Sequence, residues 1–164
     1  MSHAVGPEPG SFTLVHPGST WPEKAWPEER WPELIRGLDS SKFGSVAVIS
    51  PPGDRGVGER VAAEAGVPLL PELSIPALSA VVAGARCYVG NDGGVLHMSV
   101  AHGIPTVGLF GPTEPDIWFP YADFGPFRVL HQNDAEAGAG KSQLGSITVD
   151  EVRSALDGVM EAAT

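Results

Sequence analysis

A three-layer α/β domain built on a mostly parallel sheet is the fold this sequence predicts, and three observations predict it. Short apolar runs alternate along the chain with amphipathic stretches of helical length, the pattern of βαβ units. Several runs are apolar throughout, as strands covered on both faces are. The chain has 164 residues, the size of one domain, and its 21 Gly and 16 Pro suit tight junctions between short elements.

The elements follow in order. Residues 1–11 are polar, with Gly and Pro and no apolar core. They read as a flexible segment ahead of a domain over 12–164, and not as a signal peptide. Phe12–His16 is the first strand. Residues 27–38 read as a helix, with Pro27 in its first turn, Glu28 and Glu29 where the helix dipole favours acids, and Trp31, Leu34 and Leu38 at helical spacing. Residues 45–50 (SVAVIS) form a second strand, stopped by Pro51-Pro52-Gly53, with Asp54 placed to cap a helix over Arg55–Ala65 that Gly66 ends.

Residues 67–70 read as a short strand, and Ser74 caps a helix running to Gly84. Residues 86–89 are a fourth strand, followed by a helix over 93–102. Thr106–Phe110 is a fifth strand and Phe127–His131 a sixth. Residues 133–146 are small and polar and read as a mobile loop. Thr148 and Glu151 make a capping box for a last helix through about Ala162.

Composition narrows the function. Formal net charge is −10 and no basic stripe carries interleaved aromatics, so nucleic acid is not an expected partner. No run approaches the ~20 apolar residues of a membrane span. Cys87 is the only cysteine, which excludes an intrachain disulfide or a thiolate metal cluster, and the five His lack ligand spacing. A cytoplasmic protein is expected. Any phosphate it binds must be held by local donors, because its overall charge repels anions.

In a parallel sheet ligands bind at the carboxyl ends of strands, and three segments there carry candidate chemistry. After the first strand comes His16-Pro17-Gly18-Ser19-Thr20, with Lys24 before the helix. Gly18 permits close backbone approach, Ser19 and Thr20 offer hydroxyls, and Lys24 a point charge, a set that suits a diphosphate. The bland alternative is a solvated loop with an ordinary lysine.

After the fourth strand comes the segment GNDGGVLH, residues 90–97, at a strand-to-helix junction whose free N–H groups can meet phosphate oxygens. Here Asp92 is alternatively an N-cap and His97 a core residue. After the second strand, Asp54 is placed either to accept from ribose hydroxyls or to cap a helix.

Residues 135–142 (AEAGAGKS) come within one residue of a phosphate-loop pattern. Gly145 follows too soon for the required helix, and no partner acid stands at a second strand end. The GxGxxG, GxSxG and HExxH patterns are all absent.

Taken together, the segments resemble glycosyltransferase family 9, the lipopolysaccharide heptosyltransferases. The likeness rests on LVHPGSTWPEKAWPEERWPELI (residues 14–35), on LPELSIPALSAVVAGARCYVGNDGGVLHMSVAHGIPTVGLFGPTEP (residues 70–115) and on the capped last helix. It spans about residues 12–160, and HPG, K-x-WP and NDGG-x-x-H in this order are specific.

The resemblance implies a Rossmann-like domain, the C-terminal, donor-binding half of a two-domain GT-B fold. It implies that Ser19, Thr20 and Lys24 hold the diphosphate of a nucleotide sugar, that Asp54 meets the ribose, and that Leu73 gives an apolar contact to the base. Asp92, Gly93, Gly94, Val95 and His97 would cradle the diphosphate and the transferred sugar. Many members have Ser or Thr in place of Gly93. The donor implied is ADP-heptose-like, with no metal and no further cofactor.

The acceptor and the catalytic base belong to the family's N-terminal half, which this sequence does not contain. No catalytic residue is therefore expected here. A separate N-terminal half or self-association is the expected partnership. Either an inverting transferase half, acting in lipopolysaccharide or cell-surface glycan synthesis, or a non-catalytic nucleotide-sugar-binding module fits.

Overall fold

The computed structural model describes residues 7–164, so residues 1–6 of the segment expected to be flexible lie outside the described residues. The strands are β1 (Phe12–His16), β2 (Ser45–Val48), β3 (Cys87–Asn91), β4 (Thr106–Phe110) and β5 (Phe127–His131). The helices are α1 (Arg30–Arg36), α2 (Ser40–Phe43), α3 (Arg55–Ala65), α4 (Ile75–Gly84), α5 (Gly94–Ala101), α6 (Pro115–Trp118) and α7 (Val149–Ala162).

All five strands pair in parallel, in the order β2-β1-β3-β4-β5. Both faces are covered, as the continuous apolar runs imply. Val15, Val48, Val89, Val107 and Leu109 point to one face and pack with Trp31 and Leu34 of α1, Val61 of α3 and Leu156 of α7. Phe12, Leu14, Tyr88 and Phe110 point to the other and pack with Val82 of α4 and Leu96 of α5. The domain therefore has the three layers expected of a Rossmann-like fold.

Residues 67–70, expected as a strand, are reduced to one parallel bridge between Leu69 and Val48. Val48 N donates to Pro68 O at 2.9 Å, and Leu70 N donates to Val48 O at 2.8 Å. Pro68 lacks the N–H that a further rung toward β2 needs, and Pro71 has none to offer on the outer side, which suits the segment to the sheet edge. Counting it, the strand sequence is that of a doubly wound nucleotide-binding sheet, with the switch point between β1 and β3.

Other boundaries shift for local reasons. α1 begins at Arg30, because residues 27–29 form a turn in which Arg30 N and Trp31 N donate to Pro27 O and Glu28 O. The short helices α2 and α6 were not expected. Asp39 caps α2 by accepting from Ser41 N. Thr148 and Glu151 form the capping box in both directions.

Residues 133–146 are docked, in place of the mobile loop expected. Leu144 is fully buried. Gln143 N donates to Glu23 O, and Arg30 donates to Gly145 O and Ile147 O. Residues 135–137 make one 3-10 turn and no helix opens before α7, so the phosphate-loop reading fails on topology. Within the described part of the N-terminal segment, Gly10 N donates to Gly84 O and Gly10 O accepts from Arg86.

Candidate functional site

The chain diverges on the two sides of the switch point, and the gap is a cavity of about 570 Å³. That is within the range of small-molecule sites. Its walls come from the loops after β1, β2 and β3 and from the segment before α4. Ser19, Thr20, Lys24, Asp54, Leu73, Asp92, Gly93, Gly94 and Val95 all line it. His97 does not. It lines an adjoining cavity of about 550 Å³, which shares Lys24, Asp92, Gly93 and Gly94 with the first and adds Thr113, Glu114 and Trp118.

The shared wall carries the charge. Lys24 Nζ donates to Asp92 Oδ2 at 3.3 Å. Asp92 therefore does not cap α5. Gly93 stands at the N-cap with no side chain to offer, and the first-turn amides of α5 lack a side-chain acceptor. Free N–H groups at a helix start are an anion site, and Lys24 adds a formal positive charge beside them.

The first loop is pinned by Asn91, which sequence reasoning quoted but gave no role. Its side-chain amide is fully buried. Oδ1 accepts from Trp26 N at 3.1 Å, and Nδ2 donates to Pro17 O at 2.9 Å and Gly18 O at 3.2 Å. Asn91 thus fixes the β1 loop against the β3 loop, holding Lys24 and Asp92 together. Trp26 at the end of this loop is core: it stacks edge-on with Trp31 at 5.0 Å and donates to Ile147 O. Trp21 is exposed at the cavity mouth.

Of the two positions expected for Asp54, the helix cap is not taken. It is the N-cap residue of α3 but makes no capping bond. Its carboxylate turns inward, with Oδ1 near Ser50 Oγ at 3.0 Å and Oδ2 near His16 Nε2 at 3.5 Å. His16 and Tyr88 were also missed. Tyr88 lies along β3 over Gly90, and its hydroxyl is 3.4 Å from His16 Nδ1. Burial, with the Asp54 charge added, pushes the Tyr88 phenol well above its ordinary value, so it stays protonated. Burial likewise pushes the Cys87 thiol up to about 12, which leaves it a core residue without reactivity.

Leu73, with Ile75 and Leu78, gives the cavity an apolar side. His97 Nδ1 is 3.3 Å from Tyr121 Oη, and the rings meet edge-on at 5.8 Å. Its alternative reading as a core residue does not hold, since it is half-buried and opens on the second cavity. Among the described residues, no group of three or more His, Cys, Asp or Glu is placed to share a metal ion. Among the described residues, no helix is long and apolar enough to cross a membrane.

Comparison with known proteins agrees with this fold. The family model of glycosyltransferase family 9 (heptosyltransferase) matches residues 6–138. Lipopolysaccharide heptosyltransferase 1 of Pseudomonas aeruginosa is 36% identical over 115 residues, which are 66% of this chain and 31% of that protein. The E. coli heptosyltransferase WaaC, solved with ADP, is 26% identical with a TM-score of 0.72, covering 93% of this chain and 45% of its own. E. coli ADP-heptose lps heptosyltransferase II superposes with a TM-score of 0.78 over 96% of this chain and 48% of its own. At 21% identity it speaks for the fold alone. The chain spans less than half the length of each of these relatives.

Proposed function

Since this chain belongs to glycosyltransferase family 9, the heptosyltransferases, we propose that it is the nucleotide-sugar-binding half of an inverting, GT-B-type glycosyltransferase with an ADP-linked donor. The observation that carries this reading is the wall common to the two cavities: Lys24, Asp92, Gly93 and Gly94 stand between a pocket with an apolar side and an adjoining one bordered by His97, Thr113 and Glu114. A nucleotide sugar has the same order of parts. The nucleoside would fill the first cavity, its base against Leu73 and its ribose toward Asp54, with Ser19 and Thr20 at the phosphates. The diphosphate would lie across the shared wall, and the sugar would enter the second cavity beside His97.

On this reading the chain contributes leaving-group stabilisation. As the bond from the anomeric carbon to the diphosphate breaks, negative charge grows on the departing oxygen. Lys24 and the α5 amides are fixed in place before that charge appears, which is where preorganised donors act most strongly. Asp92 holds the Lys24 ammonium at its station. The base that takes the acceptor's proton would come from the acceptor-binding half, as would the acceptor site. Work in the cytoplasm on a lipopolysaccharide or related glycan is part of the same proposal.

Calorimetric titration with ADP, an ADP-sugar and a GDP-sugar tests it. Saturable binding of the ADP compounds is expected, and no heat from any of them would refute the reading. A second reading, binding without transfer, is favoured by the engagement of Asp54 with Ser50 and of Asp92 with Lys24, since neither is a free base. Sugar transfer assayed with and without an acceptor-binding half separates the two.

A further inference from the structure

Four polar side chains lie in a row beneath the first cavity. Tyr88, His16, Asp54 and Ser50 come from the carboxyl ends of β3, β1 and β2, and none of them is more than slightly exposed. Space for the row is made by glycines. A Cβ on Gly90 would stand 2.4 Å from the Tyr88 hydroxyl, one on Gly18 2.1 Å from Asp54 Oδ2, and one on Gly58 2.6 Å from Ser50 Oγ. A buried polar row costs desolvation unless its members satisfy one another. This one leaves a single atom over: His16 Nε2 is buried with no hydrogen-bond partner, 3.5 Å from Asp54 Oδ2.

The direction of the row follows from Tyr88. Among the described residues its hydroxyl has His16 Nδ1 as its one partner, and when it donates there a neutral imidazole carries its proton on Nε2, facing Asp54. Ser50 Oγ lies 3.0 Å from the other carboxylate oxygen and 2.8 Å from Asp54 O, so its one hydrogen is shared between them. Each carboxylate oxygen has two lone pairs, so a group flanked at both oxygens still has acceptor capacity toward the cavity.

We propose that His16 is a positioning residue that, through Nε2, sets the Asp54 carboxylate so that it accepts hydrogen bonds from the vicinal hydroxyls of the donor's ribose. The proposal rests on the reading of Asp54 given above. A carboxylate is free to rotate about its last bond; His16 and Ser50 remove that freedom before the ligand arrives, and the 3.5 Å contact closes to a hydrogen bond when the ribose is in place.

The test is the preference for ADP over 2′-deoxy-ADP and 3′-deoxy-ADP, measured by calorimetry on the wild type and on His16→Phe, His16→Gln, Tyr88→Phe and Asp54→Ala. The wild type should prefer ADP by about tenfold or more, the worth of a hydrogen bond to a charged group. His16→Phe should cut the preference to about threefold or less while deoxynucleotide binding changes little, and His16→Gln should restore part of it. Should His16→Phe fail to fold, Tyr88→Phe removes one hydroxyl and must lower the preference in the same sense.

Equal weakening for all three nucleotides in the variants that fold would mark His16 as structural and overturn the proposal. So would a preference lost in Asp54→Ala yet intact in His16→Phe and Tyr88→Phe, and that pattern would leave the ribose reading standing. Full preference in Asp54→Ala, or no ADP binding by the wild type, would remove the ribose reading and the proposal with it.

Discussion

Residues 90–94 and residues 138–145 are two glycine-dense segments, each with an acidic or basic residue close by, and they do opposite work. The first leaves a buried strand and enters α5, so its amides end in the open at the switch point. The second follows a 3-10 turn and itself opens no helix, α7 starting only at Val149. Gly138 and Gly140 take left-handed backbone angles of +95° and +74°, and the segment clamps the first loop from outside through Glu23 and Leu144. Glycine content near a lysine is therefore not a phosphate site. A strand must deliver the segment and a helix must aim its amides.

That contrast can be broken in several ways. The largest effect belongs to the clamp. Leu144→Ala leaves a void in the core and should lower stability by about 2–5 kcal/mol, read by chemical denaturation, with ADP affinity retained in the folded fraction. Next is the pair of lysines. Lys24→Ala should weaken ADP by about 10- to 100-fold in calorimetry, whereas Lys141→Ala should leave it unchanged. Equal losses would erase the distinction between the segments.

Smaller still is Gly138→Ala, which forces a side chain into a left-handed backbone and should cost about 1 kcal/mol without touching nucleotide binding. Gly93→Thr lies near zero. Its backbone is extended and a Cβ there has no atom closer than 3.9 Å, so the thermal midpoint should move by a degree or two at most, while the added hydroxyl strengthens ADP-sugar binding. The smallest concerns pH. Hydrogen bonds from its own backbone amide and from Gly140 N hold the exposed Glu23 carboxyl below the ordinary carboxylate value. Because the folded value is depressed, the stabilisation is complete above the unfolded value near ~4.3 and is lost as pH falls through the folded one. The protection of the Gly140 amide, its exchange corrected for the intrinsic pH dependence, should fall in that acid window and hold above it.

The fold was largely legible. Five strands and the order of the helices follow from apolar runs and their Gly and Pro stops, because burial on both faces writes itself into composition. What failed was local: Pro68 shortened a strand, a turn over residues 27–29 delayed a helix, and residues 133–146, expected to be mobile, are docked. Nine site residues fall around one cavity because each follows a strand end, where sequence order and spatial order coincide. Asn91, His16, Tyr88 and Ser50 were not legible in the same way. Their partners lie across strands, and only the pairing of His16 with Gly90 shows that a tyrosine two residues earlier reaches the histidine. Inward rotation of Asp54 likewise depends on space that Gly18 provides from another loop.

The single bridge at Leu69 bears on assembly. Of the three amides that alternate outward there, Val67 N is spent on Ala62 O and Pro71 has no hydrogen to give, leaving Leu69 alone. A visiting strand would find almost nothing to zip onto at that rim. Polymerisation through backbone pairing is thereby blocked from one direction, and any such growth is left to the opposite rim at β5.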